Sequence, residues 1–188
     1  MSGSLAPLHR FVAAFSALLD TGPDETATLA RGGALLRDLL AADDWLPDTH
    51  AMPDPERYRQ YLLHRDLGGR FSVVSFVWGP GQSTPIHDHR VWGLVGVLRG
   101  AEIAESYVRD AAGLRRTEVT RLERGAIDAV SPTLGDLHKV SNGLADAPSV
   151  SIHVYGADIG AVRRFTYDAS GDAKPFVSGY SPAPALSL

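Results

Sequence analysis

The chain has 188 residues, of which 44% are hydrophobic and 21% are charged, and its formal net charge is −4. This size and composition predict one globular domain with a substantial core, which we assign to residues 1–188. No run of Lys or Arg is present, so we expect neither nucleic acid nor an anionic membrane as a partner. The absence of cysteine excludes disulfides, thiolate metal sites and cysteine nucleophiles.

Residues 1–10 lack the basic start and the apolar stretch of a signal peptide. No apolar segment approaches the roughly 20 residues that a membrane-spanning helix requires. We therefore expect a cytoplasmic protein.

The first 66 residues are predicted to be a helical N-terminal portion. Apolar residues recur at helical spacing over residues 8–19. After a Gly-Pro break, Asp24 is the predicted N-cap of a second helix that runs to residue 42. A short third helix is predicted to begin at Pro53 and to cover residues 57–64, because proline suits the first turn of a helix.

From residue 70 the chain changes to short β-branched and aromatic runs separated by glycine, proline, aspartate or asparagine. Strands are predicted at 71–78, 90–99, 101–109, 115–122, 126–130, 137–141, 149–155 and 162–167. Many short strands with frequent turns indicate an antiparallel sandwich or barrel over residues 70–168. Residues 110–113 predict a hairpin loop, and residues 169–188 a C-terminal arm that is loosely packed from Ser178 onward.

Two histidines, His87 and His89, stand two residues apart between Gly81 and Gly93. On an extended strand both imidazoles would face the same side and could offer two neutral nitrogens to one divalent metal. His138 follows a turn at Gly135 and is the third candidate ligand. Three histidines with open positions describe a catalytic rather than a structural metal site. For the first pair alone, one surface histidine beside one satisfied core histidine is an equally good interpretation.

A second pattern lies in the predicted strand at 149–155. Ser151, His153 and Tyr155 recur with period two, so all three side chains should project from one face of the strand. Taken alone, the pattern is also compatible with a polar strand face exposed to water.

Two spaced motifs resemble the paired motifs of the cupins: Gly81-x5-His87-x-His89-x3-Gly93-x6-Gly100 and Pro132-x2-Gly135-x2-His138-x3-Asn142. In the usual cupin pattern a glutamate stands where this chain has Gly93, so the carboxylate ligand is missing and three imidazoles remain. This loss resembles the thiol dioxygenases of the cysteine dioxygenase type I family. The resemblance covers roughly residues 55–180. It implies a mainly β cupin fold, a jelly-roll-like antiparallel barrel with N-terminal α-helices packed on it and the metal inside.

The thiol dioxygenases also carry a Ser-His-Tyr relay beside their iron, and Ser151, His153 and Tyr155 match it one for one. The resemblance implies one Fe(II) per chain, held by the three motif histidines, and O₂ as co-substrate. Three imidazoles alone also suit zinc. Asp88, between the two paired histidines, should point to the opposite face and support the structure.

The resemblance also bears on the substrate carboxylate. In cysteine dioxygenases an arginine on the helix before the barrel binds it, and the matching position here is Gln60. The 3-mercaptopropionate dioxygenases resemble this chain at that position, and in them a later arginine is the carboxylate candidate, which Arg164 matches best. A slip of one residue would substitute Arg59 for Gln60, or Arg163 for Arg164, and these alternatives stay open.

The function implied is a thiol dioxygenase that oxidises a small thiol carboxylate, 3-mercaptopropionate, to its sulfinate, 3-sulfinopropionate. Cysteine, which would give cysteine sulfinate, is the nearest rival substrate. Another metal-dependent cupin enzyme is a second possibility, although such an enzyme has no need of the relay. A cupin sensor is a third, and it should be indifferent to Tyr155. The sequence leaves open a monomer or a small homo-oligomer.

Overall fold

The computed structural model describes residues 4–187 of the chain. The ends of the predicted domain, residues 1–3 and 188, lie outside the described residues. The helices are α1 (Ala6–Asp20), α2 (Glu25–Leu40) and a short 3-10 helix (Asp48–His50). The strands, in chain order, are β1 (Arg59–Arg65), β2 (Ser72–Trp78), β3 (Ile86–His87), β4 (Gly93–Arg99), β5 (Ala101–Asp110), β6 (Gly113–Glu123), β7 (Ile127–Val130), β8 (His138–Asn142), β9 (Ser149–Tyr155), β10 (Arg164–Tyr167) and β11 (Ala173–Phe176).

Helices α1 and α2 confirm the first two predicted helices. Asp24 caps α2 as expected, because its carboxylate accepts a hydrogen bond from the backbone N–H of Ala27 at 2.7 Å. Each helix buries one side, and Phe15 of α1 and Leu36 of α2 are fully buried in the same apolar cluster. No helix among residues 4–187 has the length and apolar character needed to cross a bilayer.

The third predicted helix is wrong, because its residues form the edge strand β1. Tyr61 and Leu63 are buried at alternate positions, which is the period of a strand and not of a helix. Antiparallel pairing with β2 places Gln60 opposite Phe76 and gives the segment backbone partners along its length. A short helix in isolation is marginal, so this pairing overrides the local proline signal. The helical portion thus ends at the 3-10 helix and not at residue 66.

The strands form two antiparallel sheets, which confirms the predicted mainly β fold with N-terminal helices. One sheet has five strands in the order β1-β2-β9-β4-β7, and the other has six in the order β11-β10-β3-β8-β5-β6. The five-stranded sheet lies between the helices and the six-stranded sheet. Val73 and Ile152 on its outer face pack with the helices. Val74 and Phe76 on its inner face pack with Val140 of β8.

The eight predicted strands are all present, with ends that shift by up to three residues. The run predicted to start at residue 90 starts at Gly93, because Arg90 has φ 62° and cannot continue a strand. The predicted hairpin loop at residues 110–113 is confirmed by the pairing of Asp110 with Gly113.

The C-terminal arm differs most from the prediction. Residues 173–176 form β11, which pairs with β10. Further along, the backbone N–H of Ser181 donates to the carbonyl of Gln60 at 2.8 Å, and the Tyr180 hydroxyl donates to Asp158. The expected loose packing is therefore wrong for residues 178–181, whereas most of residues 182–187 is exposed and irregular, as that expectation implies. These contacts join segments far apart in sequence, which local patterns do not encode.

Candidate metal centre and active site

His87, His89 and His138 meet inside the barrel, with one ring nitrogen of each within 4.8 Å of the others. His87 lies on β3 directly opposite His138 on β8, and His89 follows two residues after His87. All three side chains are buried, so the interpretation of one as a surface histidine is wrong. Only His87 of the first pair lies on a strand, since β3 ends there.

The hydrogen bonds of two rings show which nitrogen faces the cluster. Nδ1 of His87 lies 3.1 Å from the carbonyl oxygen of Pro85, and Nδ1 of His89 lies 2.9 Å from Oδ1 of Asp136. A carbonyl and a carboxylate only accept, so each Nδ1 carries the proton and each Nε2 keeps a lone pair. Nε2 of His89 is buried and has no partner among the described residues. A buried, unpartnered imidazole lone pair beside two other imidazoles fits a metal ligand.

Asp136 is a site residue that the sequence analysis did not single out. Its carboxylate accepts hydrogen bonds from the backbone N–H of His89 at 2.9 Å and of Arg90 at 2.8 Å, in addition to the ring of His89. These three bonds hold the loop after β3 and fix the orientation of the His89 ring. The sequence signal that could have identified Asp136 is its position two residues before His138 in the second motif.

Burial keeps the three rings neutral. It lowers the pKa of His87 to about 4, against an ordinary value of 6.5. Burial also lowers the pKa of His89 and of His138 well below 6.5, and the neighbouring histidines add to both shifts. At neutral pH the cluster therefore offers three neutral nitrogen donors and fits a divalent transition metal.

The structure gives a steric reason for glycine at position 93. Gly93 on β4 pairs directly with Tyr155 on β9. A Cβ on residue 93 would come within 2.9 Å of the Tyr155 ring and within 3.0 Å of Val130. The tyrosine ring therefore occupies the space that a longer side chain at this position would need. The absence of the usual cupin glutamate is therefore linked to the presence of Tyr155, because the two side chains would need the same space.

The three relay residues form a continuous chain of hydrogen bonds along β9. Ser151 Oγ lies 2.8 Å from His153 Nε2, and His153 Nδ1 lies 2.8 Å from the hydroxyl of Tyr155. All three are buried, so the alternative of a polar strand face in water is wrong. The ring of Phe76 stacks on His153 with the ring centroids 4.1 Å apart and seals one side of the relay.

Burial also keeps the relay uncharged. It lowers the pKa of His153 to about 3 and raises the pKa of Tyr155 above its ordinary value of 10.0. At neutral pH His153 is therefore a neutral imidazole with one N–H and one lone pair. The direction of the hydrogen bonds can therefore reverse along the whole relay. Such a reversal transfers a proton from one end to the other without leaving a charge on the relay residues.

A cavity of about 270 Å³ opens beside these groups. His87 and Tyr155 line it together with Gln60 and Arg164, so both predicted substrate-binding residues reach the same space. Gln60 stands on β1 rather than on a helix, and its amide donates to the carbonyl of Gly179 at 2.8 Å. The predicted metal, relay and substrate residues thus converge on one site.

Arg164 lies in the wall of the cavity, and not all of its N–H donors form hydrogen bonds. Its side chain is only 4% exposed, and Nη2 donates to Ser178 Oγ at 2.7 Å. Its guanidinium carbon lies 4.7 Å from the centre of the Phe176 ring. Nε is buried and has no partner among the described residues. A guanidinium stays charged at neutral pH, so Arg164 can bind an anion in the cavity.

The two alternative arginines are placed differently. Arg163 is exposed and lies over the ring of Phe165, at 5.8 Å from its centre. Arg59 forms an ion pair with Asp54. Neither lines the cavity, as far as the described residues show.

Two further placements complete the site. Asp88 points away from the metal cluster, as predicted, and accepts hydrogen bonds from the Phe165 N–H at 2.7 Å and the Tyr167 hydroxyl at 2.9 Å. It therefore ties the segment directly after β3 to β10. Lys174 of β11 lines the cavity, and sequence reasoning missed it because the pairing of β11 with β10 brings it there.

A comparison with protein families matches residues 38–168 to the family described as cysteine dioxygenase type I. The match covers more than half of the chain and includes the three clustered histidines and the relay. Among curated proteins, cysteine dioxygenase type 1 of Danio rerio is 26% identical over 127 residues, which are 65% of this chain and 61% of that protein. The chain thus spans about three fifths of the length of this relative.

Solved structures similar to this one share less sequence. An uncharacterised conserved protein with a double-stranded β-helix domain from Klebsiella pneumoniae gives a TM-score of 0.47 at 20% identity and covers 70% of this chain and 92% of its own. A protein from Thermus thermophilus gives a TM-score of 0.47 at 21% identity and covers 58% of this chain and 92% of its own.

Proposed function

Because the chain belongs to the cysteine dioxygenase type I family, we propose that it is an Fe(II)- and O₂-dependent thiol dioxygenase that oxidises 3-mercaptopropionate to 3-sulfinopropionate. One observation carries the proposal: a single cavity is lined by a histidine of the metal cluster, by the relay tyrosine and by a largely buried, positively charged arginine. These are His87, Tyr155 and Arg164. A thiol carboxylate has two anionic ends, and this cavity has a partner for each.

His87, His89 and His138 would hold the metal. Iron(II) bound there would supply the sites for thiolate and O₂ and the redox chemistry that adds both oxygen atoms to sulfur. Three neutral imidazoles leave the charge of a divalent ion uncompensated, which favours an anionic sulfur ligand over a neutral thiol. The same three donors also suit zinc, so the choice of iron rests on the family.

Arg164 would bind the substrate carboxylate through guanidinium N–H groups that Ser178 does not occupy, while Ser178 and Phe176 hold the guanidinium in place. Tyr155 would form a hydrogen bond with the bound substrate, and His153 and Ser151 would fix the direction of its hydroxyl. Burial keeps water away from this pair of contacts, which strengthens both.

The cavity lining also favours 3-mercaptopropionate over cysteine. Its described residues include two cationic side chains, Arg164 and Lys174, and no carboxylate. The ammonium group of cysteine would therefore lie near like charge without a counter-ion, which is unfavourable. 3-Mercaptopropionate has the same thiol and carboxylate without that group.

The proposal is tested by measuring O₂ uptake of the iron-loaded protein with 3-mercaptopropionate and, separately, with L-cysteine, and by identifying each sulfinate by mass. We expect coupled formation of 3-sulfinopropionate with the higher kcat/KM. The zinc-loaded protein is the control and should consume no O₂. A preference for cysteine would contradict the substrate assignment, and no uptake with either thiol would favour another metal-dependent cupin enzyme.

The role of Arg164 has its own test. Arg164→Met should raise KM for 3-mercaptopropionate about 10- to 100-fold, because a hydrogen bond to a charged group is worth about 1.5–3 kcal/mol, and the metal content should stay unchanged. Arg163→Met is the matched control, since the neighbouring arginine lies outside the cavity. A larger effect from Arg163→Met would overturn the assignment.

The single-domain assignment, a cytoplasmic location and a monomeric or small homo-oligomeric state belong to the same proposal. The only partner it requires is the small thiol carboxylate. Removal of residues from the C-terminal arm should impair the site, because Lys174 and Ser178 reach it from there.

A further inference from the structure

Glu102 on β5 is a buried carboxyl group for which the proposed chemistry gives no role. Its exposed fraction is 0%, and neither carboxyl oxygen has a hydrogen-bond partner among the described residues. Its backbone partners in the sheet are Leu122 on β6 and Asn142 on β8. Burial of such a group without a partner is unfavourable, so its presence calls for an explanation.

The carboxyl group lies at the end of the relay that is farther from the cavity. The hydroxyl of Ser151 on β9 and the indole N–H of Trp78 on β2 are close enough to oppose the rise in its pKa that burial causes, although neither forms a hydrogen bond of good geometry with it in this structure. The same indole N–H donates to Ser151 Oγ at 3.4 Å. The net result is a pKa of about 7 for Glu102. The charge of Glu102 also contributes to the raised pKa of Tyr155 at the other end of the relay.

The hydrogen bonds of the relay can run in either direction. His153 is neutral and has one N–H, so it either donates to Ser151 and accepts from Tyr155, or accepts from Ser151 and donates to Tyr155. Both distances are 2.8 Å, and both fit either arrangement. The group that selects one of them must lie at an end of the chain.

The protonation state of Glu102 would make that selection once its carboxyl group closes on the Ser151 hydroxyl. An ionised Glu102 only accepts, so the Ser151 hydroxyl would turn toward it, His153 would donate from Nε2 to Ser151, and the Tyr155 hydroxyl would donate to Nδ1. A neutral Glu102 would instead donate to Ser151. Ser151 would then donate to His153, Nδ1–H would donate to Tyr155, and the Tyr155 hydroxyl would be free to donate into the cavity.

We propose that Glu102 is the fourth member of the relay, a positioning residue that sets the direction of its hydrogen bonds and stores its proton. Starting from the neutral arrangement, Tyr155 releases a proton to the cavity, Nδ1–H of His153 passes to Tyr155, the Ser151 proton passes to Nε2, and the Glu102 proton passes to Ser151. One proton has left Glu102 and one has reached the cavity. The reverse shift stores the proton that a thiol loses when it binds as a thiolate. His153 and Tyr155 are neutral before and after.

The test uses Glu102→Gln in the full-length protein, because glutamine keeps the shape of the side chain and cannot ionise. Infrared difference spectra of the iron-loaded wild type should show the C=O band of a neutral carboxylic acid that disappears as the pH rises through neutrality. In the zinc-loaded, ¹⁵N-labelled wild type, the ring proton of His153 should move from Nδ1 to Nε2 over the same interval. Both changes should be absent in Glu102→Gln.

Glu105→Gln is the matched control on the same strand. Glu105 pairs with Arg116 at 2.6 Å and with Lys139 at 3.4 Å, away from the relay, so both signals should stay as in the wild type. Ser151→Ala provides a second variant if Glu102→Gln does not fold. In it the carboxylic acid band should still titrate, while His153 should no longer follow the pH. A His153 tautomer that does not change in the wild type, or that still changes with pH in either relay variant, would overturn the inference.

The catalytic consequence rests on the proposed function, but the spectroscopic readouts do not. We expect Glu102→Gln to lower kcat about 10- to 100-fold, as loss of a supporting partner does, with little change in KM and with loss of an ionisation near neutrality from the pH profile of kcat. If no thiol is oxidised but His153 follows Glu102, the proposed function fails and the relay inference stands. If the thiol is oxidised with the same pH profile in both proteins, the inference fails and the function stands.

Discussion

The two sheets contribute different parts of the site, and they also differ in how far they are buried. The central strands β2 and β9 of the five-stranded sheet are buried at every residue, because the helices cover one face and the other sheet covers the second. The six-stranded sheet has an exposed outer face, and most of β6 and β11 is open to solvent. The relay stands on the first sheet. The strands that position the proposed metal ligands and Arg164 belong to the second.

This division fits what the proposed function requires of each part. The relay depends on two hydrogen bonds of 2.8 Å between alternate residues of β9, and a strand packed on both faces holds such a geometry closely. In the proposed function the metal cluster and Arg164 must be reached by substrate, and they lie on or directly after the short strands β3, β8 and β10, close to the cavity. Variants in the two sheets should therefore fail in different ways.

The largest effect is expected from the six-stranded sheet. His138→Ala leaves two imidazoles, which hold a labile divalent metal weakly, so iron content and O₂ uptake should both fall to background. Elemental analysis after gel filtration measures the first, and an oxygen electrode the second. His9→Ala, at an exposed histidine outside the cluster, is the control. Full iron occupancy in His138→Ala would refute the ligand assignment.

A relay variant should separate chemistry from metal binding. Tyr155→Phe removes the hydroxyl that lines the cavity and should lower kcat about 10²- to 10⁴-fold, the range for loss of a proton-transfer group. Iron content should stay at the wild-type level, because Tyr155 is not in the histidine cluster. Loss of iron in this variant would show that the two sheets do not divide the work as described.

Stability should also differ between the sheets. Leu36 of α2 is fully buried against the outer face of the five-stranded sheet, where a Cβ on Gly96 would meet it at 3.0 Å. Leu36→Ala should reduce the free energy of unfolding by about 2–5 kcal/mol. Val119 on β6 is 53% exposed, and Val119→Ala should cost less than about 1 kcal/mol. Urea denaturation compares them, and equal losses would contradict the difference in burial.

The smallest effect concerns the attachment of the helices to the five-stranded sheet at low pH. Arg70 donates to both carboxylate oxygens of Asp66 at 2.8–3.1 Å and also to Asp20 of α1. Hydrogen bonds from Arg70 lower the pKa of Asp66 from 3.8 to about 2. Because this pKa is lower in the folded state than its ordinary value, the ionised carboxylate stabilises the fold. The contribution is complete above pH 3.8 and is lost as the pH falls toward 2.

Asp66→Asn should therefore be less stable than the wild type at neutral pH, and the two proteins should converge as the pH falls from about 4 to about 2. Urea denaturation at several pH values measures the difference. Asp20→Asn, whose side chain is 68% exposed, should change stability less. A difference between Asp66→Asn and wild type that persists unchanged at the lowest pH would show that Asp66 acts through packing and not through its charge.

Much of this arrangement could be predicted from the sequence because it depends on residues close together in the chain. Helical spacing and the Asp24 cap determine α1 and α2. Period two along β9 places Ser151, His153 and Tyr155 on one face, and two local motifs mark the histidines. In each case the backbone periodicity of one element decides which side chains share a side.

Only the tertiary structure decided what depends on pairing between distant segments. Residues 59–65 form a strand because β2 provides backbone partners, although their local signal favours a helix. Asp136 orients His89, and Lys174 enters the cavity, only after loops and strands from different parts of the chain come together. Glu102 lies beside Ser151 for the same reason, since the packing of two sheets places β5 next to β9. Register and sheet packing are cooperative properties of the whole chain, and short-range patterns do not contain them.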